Sequence, residues 1–147
     1  MVSAEITIDV SQLEALGARV ANGDWTPALS TAGKHLEDAA RARFDRGAQT
    51  SPDGVPRAPW SEAYAKRRGS HHELLVGQGD LRRSITHNVI GNDTVAVGSN
   101  LIYSATHHYG DPSRNIPARP FVGASADDME DLLDIFSRHI VSLAEGQ

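Results

Sequence analysis

Histidine is the residue type in this sequence that could most readily serve in catalysis or metal binding. The chain has 7 histidines and no cysteine, and four of the histidines form the adjacent pairs His71-His72 and His107-His108. Adjacent side chains diverge on helices and strands alike, so such a pair rarely gives two ligands to one metal. The sequence also lacks a His-Glu-x-x-His pattern. We therefore interpret the histidines as polar residues of loops. The enzymatic alternative is a metal-dependent hydrolase that uses His72, His108 and Asp80.

A serine hydrolase would need a nucleophile, a base and an acid in one place. Ser84, His87 and Asp80 lie close together in the sequence. A triad is defined by its geometry, however, and the chain has no Gly-x-Ser-x-Gly elbow. The glycines form neither a phosphate-binding loop nor a dinucleotide fingerprint. We predict no catalytic residue, no cofactor and no metal, and hence a protein that is not an enzyme.

Basic and aromatic residues cluster in the middle of the chain, and this cluster has two interpretations. Basic side chains that contact phosphate give nucleic acids a salt-sensitive affinity that ignores base sequence. The same side chains could instead lie in solvent or pair with acidic residues of a neighbouring protein, while the aromatic rings pack on a partner or on the chain's own core. Contact with DNA, and a DNA-binding module as an alternative function, therefore stay open. The cluster consists of Trp60, Tyr64, Lys66, Arg67, Arg68, Arg82 and Arg83.

The net charge of −5 is distributed unevenly. Residues 41–83 contain nine Lys or Arg against five Asp or Glu, a local balance of +4. Residues 126–147 contain six acids against one arginine, a local balance of −5. An overall negative charge weighs against a general nucleic-acid coat. Opposite patches on one small protein suit head-to-tail contact between identical copies, or they are two ordinary solvated faces.

Size and hydropathy predict one soluble domain over residues 1–147. A chain of 147 residues can bury a sizeable core without disulfides or metals. No stretch approaches the roughly 20 apolar residues that a membrane span needs. The first residues also lack the basic and then apolar order of a secretion signal.

Apolar spacing predicts an α+β fold, with a small antiparallel sheet packed against three or four helices and a long extended arm. Ser11 and Glu14 have the spacing of a capping box, and Thr26-Pro27 has the composition of a helix start. Ser125 and Asp128 repeat the capping-box spacing. The predicted elements are a strand over 6–10, helices over 11–23 and 26–46, an arm over 47–80 with a short helix near 61–68, a hairpin over 81–98, a helical turn over 103–109, an extended segment over 116–121 and a last helix from 126.

Two apolar stripes at helical spacing should face the core. The stripe of the second helix consists of Leu29, Ala32, Leu36, Ala40 and Phe44, and that of the last helix of Met129, Leu132, Leu133, Phe136, Ile140 and Leu143. Residues 47–80 have few apolar residues, and a loop of that length is usually functional or disordered. We therefore expect partners to order the arm.

An ordered series of short motifs over about residues 30–140 resembles the phage virion morphogenesis family, also called the tail-completion family. No single motif decides the resemblance; the ordered series, which ends in Ile116-Pro-Ala-Arg-Pro-Phe121, is what is specific. One departure is the basic run beside Trp60, which leaves the partner of the arm open. The matching residues are Pro52-Asp53-Gly54, Trp60, Leu75, Gly79-Asp80-Leu81, Ser84-Ile85, Val97-Gly98-Ser99, Tyr103, His107-His108-Tyr109-Gly110, Ile116 to Phe121, Gly123, Ser125 and Asp128.

The resemblance implies a structural protein of a long-tailed phage that completes the tail or joins it to the head. Related terminators act as rings, commonly hexameric, so the implied partners are sister copies, the tail tube, head or neck connectors and, in passing, packaged DNA. The implied location is the head–tail junction of the virion, after assembly in the host cytoplasm. Arg119 could bind a partner carboxylate or brace its own segment. The candidate interaction residues are Trp60, Tyr64, Lys66, Arg67, Arg68, Arg82, Arg83, His108, Tyr109, Arg119 and Phe121.

Overall fold

The computed structural model describes residues 7, 9–46, 49–69, 75 and 79–147. Within these residues the chain forms six α-helices, one 3-10 turn and one two-stranded sheet. The elements in chain order are α1 (Ser11–Ala21), α2 (Thr26–Asp45), α3 (Glu62–Arg68), α4 (Asp80–Ser84), β1 (Ile85–Ile90), β2 (Thr94–Ser99), α5 (Ser104–Tyr109), the 3-10 turn Pro112–Arg114 and α6 (Ala126–Glu145). The predicted α+β class with a small antiparallel sheet is confirmed.

The long helix α2 is the centre of the fold, because both strands, α4 and α6 pack against it. Its predicted apolar stripe faces inward: Leu29, Ala32, Ala40 and Phe44 are buried and Leu36 is half-buried. Four of the seven buried residues of α2 are small, namely Ala28, Ala32, Gly33 and Ala40. The neighbouring elements can therefore approach the helix axis closely, which suits a sheet of only two strands.

The predicted hairpin and its turn are confirmed, but the first strand begins at Ile85 because residues 81–84 belong to α4, where the Arg83 amide donates to the Gly79 carbonyl at 3.0 Å. Ile85 pairs with Ser99 and Ile90 pairs with Thr94, so the strands are joined by a short turn that begins at Gly91. Gly91 has a φ of +65°, a conformation that glycine adopts without strain. The hairpin stays together because one of its faces packs on α2.

The core lies where α2, α4, β1 and the segment after α5 meet. Phe44 and Phe121 pack edge to face with ring centroids 5.8 Å apart, and both are 2% exposed. Ile85 at the start of β1 is fully buried beside them. Edge-to-face rings of this kind bury large apolar area and add directional attraction. This core holds the chain segments that form the surface described below.

The first two helices begin differently from the prediction. The predicted capping box of Ser11 and Glu14 is wrong: the cap position is Val10, and the Ser11 amide donates to Asp9 Oδ1 at 2.9 Å. Likewise Asp24 Oδ1, rather than a Thr26 cap, accepts from the Thr26 amide at 3.0 Å. In both cases a carboxylate two residues upstream satisfies an amide of the first turn, where negative charge is favoured.

Two further predictions concern residues that the structure covers only in part. The predicted strand over 6–10 rests on Ile6 and Ile8, which lie outside the described residues. The extended arm over 47–80 is not confirmed. Of that range, residues 47, 48, 70–74 and 76–78 lie outside the described residues, while 49–69 contain α3 and a bridge between Thr50 and Pro56.

The predictions for the second half of the chain are largely confirmed. The helical turn α5 ends before Gly110, and residues 117–121 are neither helix nor paired strand, as their prolines dictate. Ser125 and Asp128 form the predicted capping box at the start of α6: the Asp128 amide donates to Ser125 Oγ at 3.0 Å, and the Ser125 amide donates to Asp128 Oδ2 at 2.8 Å. This cap fixes where α6 leaves the core.

Candidate interaction surface

A groove of about 1200 Å³ lies between α3, α5 and the segment that follows α5. Six of the eleven candidate interaction residues line it, although they come from distant parts of the sequence. The groove is formed by Pro59, Trp60, Ser61, Tyr64, Arg67, Arg68, Leu75, Asp80, Leu81, Tyr103, His107, Tyr109, Gly110, Pro112, Asn115, Ile116, Pro117, Ala118 and Arg119. We call it the aromatic groove.

Aromatic rings supply much of the apolar surface of the groove. Trp60 and Tyr64 sit edge to face with centroids 5.4 Å apart, and Tyr103 and His107 do the same at 5.8 Å. Tyr109 is 78% exposed. Trp60 lies just before α3 and Tyr64 lies in its first turn, and the Ser61 hydroxyl caps that helix by accepting from the Tyr64 amide at 3.3 Å. Rigid aromatic side chains that combine apolar faces with polar edges are the residues most enriched in protein–protein hot spots.

Two buried arginines join two proline-rich segments at the groove, and one of them, Arg119, lines it. Arg119 donates from Nε to the Ala58 carbonyl at 2.7 Å and from Nη2 to the Pro59 carbonyl at 2.8 Å. Arg57 donates in return from Nε and Nη2 to the Pro120 carbonyl at 3.0 and 2.6 Å. Because proline has no N–H, such segments cannot form a regular ladder, and the arginine forks replace it. Arg119 is therefore an internal brace.

The charge of the groove is positive. Arg67, Arg68 and Arg119 line it, and the one carboxylate among its described residues, Asp80, pairs with Arg83. The Arg68 guanidinium lies 6.0 Å from the centre of the Tyr64 ring, within reach of a cation–π contact.

Burial changes the ionisation of groups on and beneath the groove. Burial, with nearby Arg119, lowers the pKa of His107, so its imidazole is neutral at pH 7. Burial, with Arg43 and Arg119, lowers the pKa of Arg57 to about 10, so that arginine stays charged at pH 7. The groove thus combines aromatic rings, guanidinium groups and a neutral imidazole, a chemistry suited to a partner with apolar and acidic side chains.

The remaining basic candidates lie outside the groove. Arg82 makes a two-point contact with Asp45, from Nε to Oδ1 at 2.7 Å and from Nη2 to Oδ2 at 2.9 Å. Arg83 pairs with Asp80 in the same helix, and Lys66 is exposed on α3. Of the basic cluster, the structure brings Arg67 and Arg68 together with the aromatic rings.

His108 and Phe121 pack within the chain. The His108 ring stands edge to face on Phe121 with centroids 5.1 Å apart, and its Nδ1 accepts from the Phe121 amide at 3.4 Å. Burial, with nearby Arg57, lowers the pKa of His108. A neutral imidazole that accepts from a backbone amide is consistent with that shift. Both residues line a second, smaller pocket and not the aromatic groove.

A second apolar surface lies on α6. Met129, Leu133 and Ile140, three members of its predicted inward stripe, are 50%, 64% and 42% exposed. We call these three residues the α6 stripe. The stripe borders the inward side of the helix: Phe136, seven residues after Met129 and hence close to the same side, packs against Trp25 at a centroid distance of 6.3 Å. Half of the predicted core stripe is therefore exposed. Two acidic residues lie next to it in the sequence, because Glu130 follows Met129 and Asp134 follows Leu133.

The side chains proposed for catalysis have structural partners. Ser84 Oγ lies 2.6 Å from Ser99 Oγ and donates to the Leu81 carbonyl, whereas His87 Nδ1 lies 2.6 Å from Glu37 Oε2. His72 lies outside the described residues. Within the part of the chain that the structure describes, no three His, Asp or Glu side chains form a group that could hold a metal ion.

Sequence reasoning did not select Arg57, Tyr103 or His107 as interaction residues. Arg57 had a readable signal, because it lies between Pro56 and Ala58-Pro59 much as Arg119 lies between Ala118 and Pro120. Two arginines set among prolines indicate segments that need side chains to join them. The place of Tyr103 in the groove depends on how α5 packs, and no local pattern gives that.

Comparison with known proteins points to one class of protein. The model of the phage virion morphogenesis family matches residues 8–141. A protein of Escherichia phage Mu, described as putative capsid assembly protein G, is 30% identical over 116 residues, which cover 71% of this chain and 72% of that protein. No solved structure matches the chain significantly. Among the residues described, no helix has both the length and the apolar character to cross a bilayer.

Proposed function

Because the chain belongs to the phage virion morphogenesis family, and so acts in phage virion assembly, we propose that it is a structural subunit that completes the tail or joins it to the head. In this proposal it works as a ring-forming neck or tail-terminator protein and carries out no catalysis. The family match over residues 8–141 carries the proposal, because it covers both the groove and the α6 stripe.

The exposed surface supports a role in binding other proteins. The chain presents a cationic aromatic groove on one set of elements and an apolar, acid-flanked stripe on α6. Isolated exposed apolar residues are ordinary, but contiguous patches mark interaction sites. Two different surfaces on a small subunit suit a position between unlike neighbours.

A ring is the arrangement that these surfaces favour. When two different patches of identical copies bind each other, the contact repeats head to tail and closes into a ring if the rotation per copy allows it. The family resemblance makes six copies the expected number. The proposed partners beyond sister copies are the tail tube and the head or neck connector, and the proposed location is the head–tail junction of the virion.

Electron microscopy of particles made without this chain tests the proposed function. We expect heads and tails that fail to join, or tails of irregular length, and we expect the chain supplied in trans to restore joined particles. Free heads alone would narrow the role to joining, and tails of irregular length would narrow it to tail completion. Particles of normal tail length with full heads attached would contradict the proposal.

A further inference from the structure

We propose that the α6 stripe of one copy docks into the aromatic groove of the next copy. This inference rests on the proposed ring and names the two surfaces that would form it. The occupant is a second copy of this chain because each surface offers what the other lacks.

Charge is the first complementary property. Arg67, Arg68 and Arg119 line the groove, whereas residues 126–147 have a balance of −5. Glu130 and Asp134 stand beside Met129 and Leu133 on the exposed part of α6, where Asp134 also pairs with Arg138 at 2.8 Å. The acids therefore lie close enough to the stripe to face the same partner. An arginine-lined site that receives an acidic helix gains directed hydrogen bonds and faster association.

The second complementary property is the match in shape and polarity between the α6 stripe and the groove. Met129, Leu133 and Ile140 are spaced by four and seven residues, so they lie on one side of α6 along about 16 Å of helix. The groove is an open depression of about 1200 Å³ lined by Trp60, Tyr64 and other rings. An amphipathic helix laid in an apolar groove through anchors at this spacing is a recurring mode of recognition.

Position is the third property. Helix α6 contributes no residue to the groove lining among the described residues, so a copy that offers its stripe keeps its own groove free. The contact is consequently heterologous and can continue from copy to copy.

Thiol cross-linking tests the docking, because the chain has no cysteine of its own. Ser137→Cys places a thiol one turn after Leu133, and Ala118→Cys places one on the groove wall; both positions are exposed and both changes are small. The two full-length single variants are mixed and treated with a short bismaleimide. Asn88→Cys, exposed on β1, replaces Ala118→Cys in the matched control.

The docking predicts a covalent dimer in the mixture of Ser137→Cys with Ala118→Cys, and a several-fold lower yield with either variant alone or with Asn88→Cys. A chain that carries both changes should give a ladder that ends at the ring number. Leu133→Asp added to the Ser137→Cys variant should abolish the mixed dimer.

Four outcomes overturn the docking. One is a cross-link between two copies of the Ser137→Cys variant, which indicates a twofold contact between α6 helices. Another is an oligomer in which the mixed pair does not link, which leaves the proposed ring in place but moves its interface. A third is a chain that stays monomeric, which leaves the particle experiment above to decide the proposed function. The last is short single-stranded DNA that protects Ala118→Cys from labelling while no mixed dimer forms, which makes the groove a nucleic-acid site.

Discussion

Glu37 is the buried carboxylate that joins α2 to the hairpin. Its Oε2 accepts from His87 Nδ1 at 2.6 Å and from the His87 amide at 3.1 Å, and its Oε1 lies 2.9 Å from Arg41 Nη1. Arg41 in turn donates to the Ile85 carbonyl at 2.6 Å. A charge that is 6% exposed is tolerated because each oxygen has a partner. The network fixes the hairpin on the helix.

Replacing Glu37 with alanine should lower the free energy of unfolding by about 2–3 kcal/mol, because Arg41 and His87 lose the buried carboxylate that they share. Urea unfolding followed by circular dichroism measures the change. The matched control is Asp38→Ala in the same helix, since Asp38 is exposed and its ion-pair partner among the described residues is exposed Lys34. That variant should lose less than about 1 kcal/mol. Equal losses would contradict the role given to Glu37.

The same group predicts a dependence of stability on pH. The hydrogen bond from His87, opposed by burial and aided by Arg41, lowers the pKa of Glu37 below its ordinary 4.5. A lowered carboxyl pKa stabilises the fold above about pH 4.5, and this stability is lost as the pH falls through the pKa of the folded state. The stability difference between the natural chain and Glu37→Gln should therefore shrink below about pH 4.5. A difference that stays constant down to about pH 3 would refute the assignment.

At the scale of residues, the sequence shows which side chains can make an interaction better than it shows whether they face a partner or the interior. It gave Arg119 two roles, and the contacts with Ala58 and Pro59 select the internal brace. Phe121 was an interaction candidate but is 2% exposed, because its ring completes the core beside Phe44. Which side chain faces a partner depends on packing between segments about 60 residues apart, and no local pattern contains that information.

At the scale of elements, close approach between α2 and the hairpin depends on a residue without a side chain. A Cβ on Gly33 would lie 2.6 Å from Val95 Cγ2 and 2.7 Å from His87 Cδ2. The His87 ring cannot turn away easily, because Glu37 holds its Nδ1. Glycine in a helix costs about 1 kcal/mol relative to alanine, so its presence here reflects packing.

We expect Gly33→Ala to lower the free energy of unfolding by about 1–3 kcal/mol, because the added methyl group pushes the strands away from α2. Gly17→Ala in α1 is the control, since a Cβ there meets nothing within 4 Å. That change should raise stability by up to about 1 kcal/mol through helix propensity alone. Thermal unfolding of both variants measures the two changes. A Gly33→Ala chain as stable as the natural one would show that α2 and the hairpin are not packed closely at Gly33.

Elements were predictable where the signal is local. The cap of α6, the hairpin turn and the breaks at prolines all follow from a few neighbouring residues, and the structure confirms them. The orientation of α6 did not follow from its stripe, because Met129, Leu133 and Ile140 face outward. A helix that is apolar over so wide an arc has one side for the core and another for a further contact.

At the scale of the whole molecule, the uneven charge has a consequence for assembly. If acidic α6 and the cationic groove meet between copies, added salt should weaken self-association, because it screens pairs that lie near the surface. Sedimentation of the natural chain at rising sodium chloride measures this effect. Glu130→Gln combined with Asp134→Asn should reduce the salt dependence, whereas Asp93→Asn, a change in the hairpin turn, should leave it unchanged. Self-association that strengthens with salt would point to purely apolar contacts.

The most direct test of the account is a cryo-electron microscopy reconstruction of the region between head and tail in finished virions. We expect a closed ring of copies of this chain at that junction, with α6 of each copy against its neighbour. Purified virions that lack the chain, or a reconstruction with isolated copies elsewhere in the particle, would contradict it.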